Sequence, residues 1–223
     1  MKYLALIQYF FYLGINWNWR IALMSIRQEI NGEKKYQLNS TGADELKALK
    51  KQSNNMLHAT IYMPVSYHVL ENALSNIPVN KRHHFIDIGC GKGRAICVAC
   101  HFGFTKVTGI EWSEKLQKIA LKNLATTQAM LPKINYQVIC GDAAFFTIPA
   151  DADCLLLFNP FDEYMMDKVL SNICTSMVQH PREINIIYAN PLYKKLFFQK
   201  GFKEVYHSQS HHYFEVSILN IRP

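Results

Sequence analysis

The chain has 223 residues, of which 49% are hydrophobic, and it carries a formal net charge of +7. This size and content exclude a chain too small to bury a core, and they fit one globular domain with additions better than two independent domains. The charge favours acidic partners such as nucleic acid or an anionic surface. Because the lysines and arginines are scattered along the chain, composition alone leaves the partner open.

The N-terminal segment, residues 1–24, starts with a lysine followed by an apolar run. A glycine and two asparagines interrupt the run, which is too short to span a bilayer, and no Ala-x-Ala cleavage site follows it. We predict a helix that caps the core. The alternative is a helix at a membrane interface, which Trp17 and Trp19 would suit, so peripheral membrane contact through residues 1–24 stays open.

Two further segments precede the main pattern. The stretch from Arg20 to Lys51 is polar; Asn31–Gly32 predicts a turn, and Ser40 or Thr41 would cap a short charged helix. We therefore expect an appendage or lid here. From His58 to Ile77, apolar residues recur at helical spacing and predict a helix.

Strands and helices alternate after residue 78. Apolar strands that alternate with helices imply a parallel sheet covered on both faces, and the tail predicts an antiparallel hairpin. The predicted fold is α/β: a mostly parallel seven-stranded sheet with helices on both faces, an antiparallel C-terminal hairpin and a helical N-terminal extension. We place the extension at residues 1–78 and the Rossmann-like domain at 79–223. The predicted strands are 85–89, 106–111, 136–140, 154–159, 184–190 and two in the tail; the predicted helices are 94–102, 113–130, 163–179 and 192–199.

The segment FIDIGCGKGR, from Phe85 to Arg94, predicts a strand that turns sharply into a helix. Glycines let the chain bend tightly and let a ligand approach the backbone, while the helix N-terminus offers unpaired N–H groups. Glu111 follows Gly91 by 20 residues and ends the next strand, where its carboxylate can accept from both hydroxyls of a ribose. A purely structural tight turn is the alternative.

The acid before the glycines separates the nucleotide ligands that such a turn could hold. A carboxylate at Asp87 would repel a pyrophosphate, and with Arg94 directly after the last glycine it disfavours a dinucleotide oxidoreductase. The same carboxylate suits a ligand with an ammonium group and a sulfonium, which points to S-adenosylmethionine. Asp142, after the third strand, could accept from an adenine amino group while the Ala143 N–H meets a ring nitrogen. Each acid alone could be a cap or turn residue, but their joint spacing favours a site.

Four motifs in this order, DIGCGKGR, VTGIEWS, CGDA and LLLFNPF, resemble the class I (seven-stranded) S-adenosylmethionine-dependent methyltransferases. The resemblance runs from about residue 62 to the C-terminus and implies a methyl donor lying over the glycine turn. Trp112 would either cover one adenine face or pack in the core. The residues implied for the donor are Asp87, Gly89, Cys90 and Gly91 at its methionine end, Glu111 at the ribose, and Asp142 and Ala143 at the adenine.

The acceptor side is indicated by Asn159-Pro160-Phe161 at the end of the fourth strand. It resembles the (Asn/Asp)-Pro-Pro-aromatic motif of methyltransferases that act on planar amino or amide nitrogens, in which the Asn oxygen and the next backbone carbonyl accept the substrate N–H bonds and the ring stacks on its plane. Here only one proline is present and the aromatic residue comes one place early. The resemblance therefore leaves amide or base specificity open.

A second resemblance concerns the residues ahead of the glycine turn. Tyr62-x-Pro64, with the Asn-x-Phe element of the fourth strand, is similar to the lysine methyltransferases of the Dot1 type. A lysine ammonium must lose a proton before it attacks, so such a site needs carbonyls, a tyrosine or an acid nearby. Tyr62, Tyr67 and Tyr164 are candidates to contact the substrate, although a tyrosine is also often a packed residue.

We therefore expect a methyltransferase that uses S-adenosylmethionine to methylate an amide, amino or base nitrogen of a protein or nucleic acid. The alternatives are a small-molecule or protein-lysine N-methyltransferase and a non-catalytic module that binds the donor. The cysteines sit mostly in apolar runs, which indicates buried, reduced thiols and a cytoplasmic location. Cys97 and Cys100 form a CxxC followed by His101, but the second half of a zinc site is missing, so we expect packing and no metal.

Overall fold

The computed structural model describes residues 6–7, 10–11, 13–15, 18–41, 64–158, 162–210 and 214–222. All seven strands belong to one sheet. They are β1 (His84–Ile88), β2 (Lys106–Glu111), β3 (Asn135–Cys140), β4 (Cys154–Phe158), β5 (Ile184–Ala189), β6 (Lys203–Ser210) and β7 (Phe214–Ile221).

The sheet has the order β3-β2-β1-β4-β5-β7-β6. Strands β1 to β5 are parallel to one another, and β7 runs antiparallel to both β5 and β6. The central strands β1 and β5 are buried along their whole length, as expected for a parallel sheet covered on both faces. The predicted fold class, including the C-terminal hairpin, is confirmed.

Six α-helices are described over their whole length: α1 (Trp19–Tyr36), α2 (Tyr67–Ser75), α3 (Arg94–His101), α4 (Glu114–Met130), α5 (Glu163–Gln179) and α6 (Lys194–Gln199). Two clusters of buried hydrophobic side chains flank the sheet. One contains Leu70 of α2 and Ile96 of α3, and the other contains Leu170 of α5 and Phe197 of α6. None of the helices described is both long and apolar enough to cross a lipid bilayer.

The N-terminal part differs from the prediction at one point. Helix α1 continues without interruption through Asn31–Gly32, so the turn predicted there is wrong. A Cβ atom at Gly32 would lie 2.2 Å from Cδ2 of Tyr67. The glycine therefore allows α2 to approach α1 closely, and it does not end the helix.

The other N-terminal predictions are tested only in part. The short charged helix after Thr41 and the first part of the helix predicted from His58 lie outside the described residues. Helix α2 begins at Tyr67 and packs its apolar side, including Leu74, into the same core as the sheet. The division of the chain at residue 78 stays a prediction.

The cysteines are free thiols in mixed surroundings. Cys97 and Cys100 are buried on α3, as predicted, and burial raises the pKa of each thiol to about 12. Cys140 is exposed and Cys174 is half-buried, so the expectation of burial fails for these two. In the described part of the chain, no three His, Cys, Asp or Glu side chains converge as metal ligands.

The contact between Gly32 and Tyr67 gives a prediction that opposes helix propensity. In an exposed helix, Gly→Ala stabilises by up to about 1 kcal/mol, but the substitution Gly32→Ala pushes a methyl group into the Tyr67 ring and should cost about 1–3 kcal/mol. Urea denaturation measures the change. Asn31→Ala, at the exposed neighbouring position on α1, is the control and should be neutral or slightly stabilising. A Gly32→Ala protein as stable as the natural chain would contradict the packing described.

Candidate functional site

The carboxyl ends of the parallel strands define the candidate site. From β1 the chain adds β2 and β3 on one side and then returns to place β4 on the other side of β1. Open α/β sheets bind ligands at such a switch point, because the connections diverge there and leave a crevice beyond the strand ends. The predicted site residues that are described lie in or just after the last residues of β1, β2 and β3, or begin the helix after β4.

The glycine turn between β1 and α3 is built from backbone contacts. The N–H groups of Gly89 and Cys90 both donate to Ile110 O of β2, each at 2.9 Å, and Gly93 N donates to Cys90 O at 2.8 Å. The Cys90 side chain is buried over Gly109, where a Cβ atom would lie 2.6 Å from its Sγ. Cys90 thus shapes the turn, and its contact with a ligand stays a prediction.

The last glycine of the turn explains how closely α3 approaches its neighbour. Gly93 has a φ of 79° and stands at the N-cap of α3, where no side chain caps the helix. A Cβ atom at Gly93 would lie 3.0 Å from Cβ of Ala120 on α4. The position therefore requires glycine both for its left-handed backbone and for the packing of α3 on α4.

Glu111 connects two turns at this edge. Its Oε2 accepts from Gly91 N at 2.8 Å and its Oε1 accepts from Ser113 N at 2.8 Å. Burial raises the pKa of this carboxyl, and the backbone donors oppose the rise. Each oxygen keeps a lone pair for a further donor such as a sugar hydroxyl. The structure thus gives Glu111 the turn-holding role that the sequence analysis left open as an alternative, and the predicted ribose contact stays a prediction.

Asp87, the last residue but one of β1, is in an unfavourable environment. Its side chain is only 4% exposed, and within the described residues it makes no hydrogen bond or ion pair. Burial, and then repulsion from Glu111, raise its pKa to about 8. A buried carboxyl without a partner costs free energy, and a positively charged ligand would offset that cost.

The residues after β2 and β3 form the outer part of the edge. Trp112 is 50% exposed, so the alternative that it packs in the core is wrong. Asp142 caps a short 3-10 turn and accepts from Ala144 N at 2.8 Å through Oδ1, which leaves its other oxygen available. Ala143 is buried beside it, and Phe145, which sequence reasoning missed, is 85% exposed.

The acceptor side of the site is described only at its borders. Asn159, Pro160, Phe161 and Tyr62 lie outside the described residues. Strand β4 ends just before this segment at the switch point, and Asp162 follows it and caps α5 by accepting from Met165 N at 3.0 Å. Tyr164 is exposed on the first turn of α5, with the Lys168 ammonium 5.0 Å from its ring centroid.

Arg94, the first residue of α3, is the functional-site neighbour whose role sequence reasoning missed. Its guanidinium is buried and binds both carboxylate oxygens of Glu29 on α1, at 2.7 and 2.6 Å. Arg94 also donates to Ser40 Oγ at 2.8 Å and lies 4.1 Å from the centre of the Tyr67 ring. Glu33, one turn after Glu29, is 3.6 Å from the same guanidinium.

This buried cluster attaches the N-terminal helix to the glycine turn. Ser40 and Thr41 donate to Glu33 and Glu29, and Lys92 of the turn donates to Thr41 O at 3.1 Å. A sequence signal existed for it, because both glutamates fall on the face of α1 that is otherwise buried. Charged residues on a buried face need partners.

Comparison with known proteins agrees with this geometry. Residues 37–136 match the family model described as "Histone methylation protein DOT1", which covers less than half of the chain. No curated protein is significantly similar to this chain. Among solved structures, magnesium protoporphyrin IX methyltransferase (ChlM) from Synechocystis PCC 6803, with bound SAM, has a TM-score of 0.51 at 18% identity over 70% of this chain and 79% of that chain.

Two further structures give the same result. The ribosomal protein L11 methylase of Lactobacillus delbrueckii subsp. bulgaricus has a TM-score of 0.51 at 11% identity, over 69% of this chain and 77% of that chain. A SAM-dependent methyltransferase of Leishmania major has a TM-score of 0.51 at 12% identity, over 69% and 70%. At these identities the likeness establishes the fold, and the site rests on this chain's own residues.

The Arg94 cluster gives a stability prediction. Arg94→Ala leaves two buried carboxylates without their cation and should cost about 3–5 kcal/mol, measured by urea denaturation. The control is Lys118→Ala, which removes an exposed ion pair with Glu114 on α4 and should cost less than about 0.5 kcal/mol. If Arg94→Ala prevents purification, Glu29→Gln tests the same cluster with a smaller loss. A cost for Arg94→Ala equal to that of the control would show that the cluster does not hold α1.

Proposed function

We propose that this chain, a class I S-adenosylmethionine-dependent methyltransferase, transfers the methyl group of its cofactor to a nitrogen atom of a protein or nucleic acid. The sequence predictions of the methyltransferase class and of the cofactor are confirmed. The nitrogen acceptor and the site residues named below are the proposal. The observation that carries the donor side is the buried Asp87 carboxyl beside the glycine turn, which has no hydrogen-bond or ion-pair partner among the described residues.

The fit between this carboxyl and the cofactor is electrostatic. S-adenosylmethionine has an ammonium group and a sulfonium, and a carboxylate nearby stabilises both charges. A dinucleotide would instead bring a pyrophosphate to the N-terminus of α3 with two acids, Asp87 and Glu111, beside it. The pyrophosphate would repel Glu111, and it would bring no positive charge to offset the ionisation of Asp87. The charge of the site therefore favours the sulfonium donor.

The other donor contacts that we propose involve residues at the carboxyl ends of the parallel strands. Glu111 has lone pairs left for the ribose hydroxyls, and its bond to Gly91 N holds the turn in place for the ligand. The free oxygen of Asp142 would accept from the adenine amino group, and the Ala143 N–H would meet a ring nitrogen. Trp112, half exposed after β2, offers an aromatic face for the adenine.

Methyl transfer demands that the acceptor be positioned more than activated. When bound, S-adenosylmethionine supplies a methyl group on a sulfonium, which an acceptor lone pair displaces in line. We propose that the Asn159 side chain and the Pro160 carbonyl accept N–H bonds of the acceptor, which orients its lone pair, and that the Phe161 ring stacks on it. The support is that this tripeptide directly follows β4 in the sequence, and β4 pairs with β1, the strand that leads into the glycine turn.

A lysine side chain is the second candidate acceptor, because the matched family model is that of a histone methylation protein. A lysine ammonium must first give up its proton, and Tyr62 and Tyr164 are the candidates to contact it. The net charge of +7 favours a macromolecule with acidic regions in either case. The free cysteines suit a reducing compartment, and we propose the cytoplasm.

A module that binds the donor without catalysis is the rival to this proposal. It would need the donor residues only, and the Asn-Pro-Phe segment would then have no function.

We further propose that the N-terminal extension, residues 1–78, acts as a cap next to the donor site, because α1 is anchored to the glycine turn through Arg94.

The pKa of Asp87 predicts pH-dependent binding of the donor product. Asp87 is mostly protonated at neutral pH because its pKa is about 8, and it must lose the proton to bind a cationic ligand. The affinity for S-adenosylhomocysteine, which keeps the ammonium group, should therefore rise with pH up to about 8. Calorimetry in buffers of different ionisation enthalpy should find most of one proton released at neutral pH. Asp87→Asn should bind weakly, with no such release; release unchanged in this variant would contradict the assignment.

Asn159 is tested by turnover and binding together. With labelled donor and a cell extract as acceptor, Asn159→Ala should reduce methyl transfer by at least about a hundredfold and leave S-adenosylhomocysteine affinity unchanged. The control, Asn135→Ala, changes an exposed asparagine at the opposite edge of the sheet and should have full activity.

The label itself identifies the acceptor atom in the same experiment. Base-stable radioactivity that co-elutes with an N-methylated amino acid or nucleoside after hydrolysis supports a methylated nitrogen, whereas co-elution with a C-, S- or ether O-methylated standard overturns the proposal. Label lost to base as methanol marks a methyl ester and overturns the proposal, as would full turnover by Asn159→Ala.

A further inference from the structure

The exposed face of α1 combines positive charge and apolar surface in separate rows. Arg20, Arg27 and Lys34 recur every seven residues, which is close to two turns, and they form one row along the helix. Leu23 and Ile30 repeat with the same spacing three residues later and form the adjacent row; they are 55% and 49% exposed. We call the two rows together the α1 outer face.

The apolar row continues beyond the start of α1. Trp19 is 51% exposed, and its ring meets that of Phe11 edge to face with 6.1 Å between the centroids. Phe11 is itself 52% exposed. Side chains of this size at adjoining positions form one exposed patch, of the kind that marks an interaction site rather than scattered surface residues.

The α1 outer face carries no acidic residue. The two acids of the helix, Glu29 and Glu33, are both turned inward to Arg94. Within the described residues, Arg20, Arg27 and Lys34 form no ion pair, whereas the neighbouring Lys35 is paired with Glu71 at 2.8 Å. The cluster that anchors α1 thus also leaves its outer side positively charged.

We infer that the α1 outer face binds the surface of an anionic phospholipid bilayer. A bilayer surface accepts both rows at once, since lipid phosphates pair with the basic row while the apolar row, with Trp19 at its end, enters the boundary between headgroups and acyl chains. A nucleic acid would engage the basic row and leave Leu23 and Ile30 in water. A second copy of the chain would bring two basic rows together, and their repulsion opposes such a dimer.

The test is sedimentation of the full chain with vesicles of phosphatidylcholine, alone or mixed with phosphatidylglycerol in equal amounts. The natural chain should bind the anionic vesicles at least about tenfold more tightly than vesicles of phosphatidylcholine alone. Leu23→Glu and Arg27→Glu should each lower that affinity by about tenfold. Both positions are exposed, and thermal denaturation followed by circular dichroism checks that the variants fold.

Matched controls separate the face from net charge. Val178→Glu and Lys118→Glu make the same changes in charge at exposed positions on α5 and α4, with 82% of Val178 and 72% of the Lys118 side chain exposed. They should change affinity less than about twofold. Equal loss in the controls, or no preference for anionic vesicles, would overturn the inference.

Two other outcomes would give the face a different partner, and each would overturn the lipid. The first is a dimer in light scattering that Leu23→Glu disperses. The second is that the chain binds a single-stranded RNA but no vesicles, and that Arg27→Glu abolishes the RNA binding. Because none of these measurements involves methyl transfer, the inference stands or falls independently of the proposed acceptor.

Discussion

The buried pairing of Arg94 with Glu29 fixes the relation between the N-terminal helix and the donor site. Both partners are almost inaccessible to water, and the guanidinium binds the carboxylate through two nitrogens while Ser40 Oγ and Val65 O accept two further hydrogen bonds from it. Removing two charges from water is costly, and the pairing offsets that cost only with this geometry. The arrangement therefore holds α1 in one position against the glycine turn.

The glycine turn joins this anchor to the chemistry. Arg94 begins α3 immediately after the turn, and Glu111 holds Gly91 N from the other side. The turn thus lies between the Arg94 cluster on one side and two carboxyls, Asp87 and Glu111, on the side where the ligand would bind. The structure keeps those two acids close without a cation of its own among the described residues. A sulfonium donor with an ammonium group completes the charge balance, which is why the site suits this cofactor.

The sequence predicts much of the fold because short local sequence patterns determine most of its strands, turns and helix starts. The apolar strands, the glycine turn and the start of α4 are each specified within a few residues, and the sequence predicts them close to their observed positions. The Arg94 cluster was missed since 65 residues separate Arg94 from Glu29 and no local pattern specifies a pairing of that range. The turn predicted at Gly32 was wrong because a glycine can serve close packing as well as a bend. The sequence could not predict either that Asp87 lacks a partner among the described residues, because this depends on which side chains the folded chain brings near it.

The central claim is that the switch point between β1 and β4 holds a sulfonium nucleoside and not a dinucleotide. Calorimetric titration of the full chain with S-adenosylhomocysteine, NAD and NADP tests it most directly. The charge of the site predicts micromolar binding of S-adenosylhomocysteine, with one ligand per chain and no heat from either dinucleotide. Binding of NAD or NADP, or no binding of S-adenosylhomocysteine at neutral pH or above, would contradict the account.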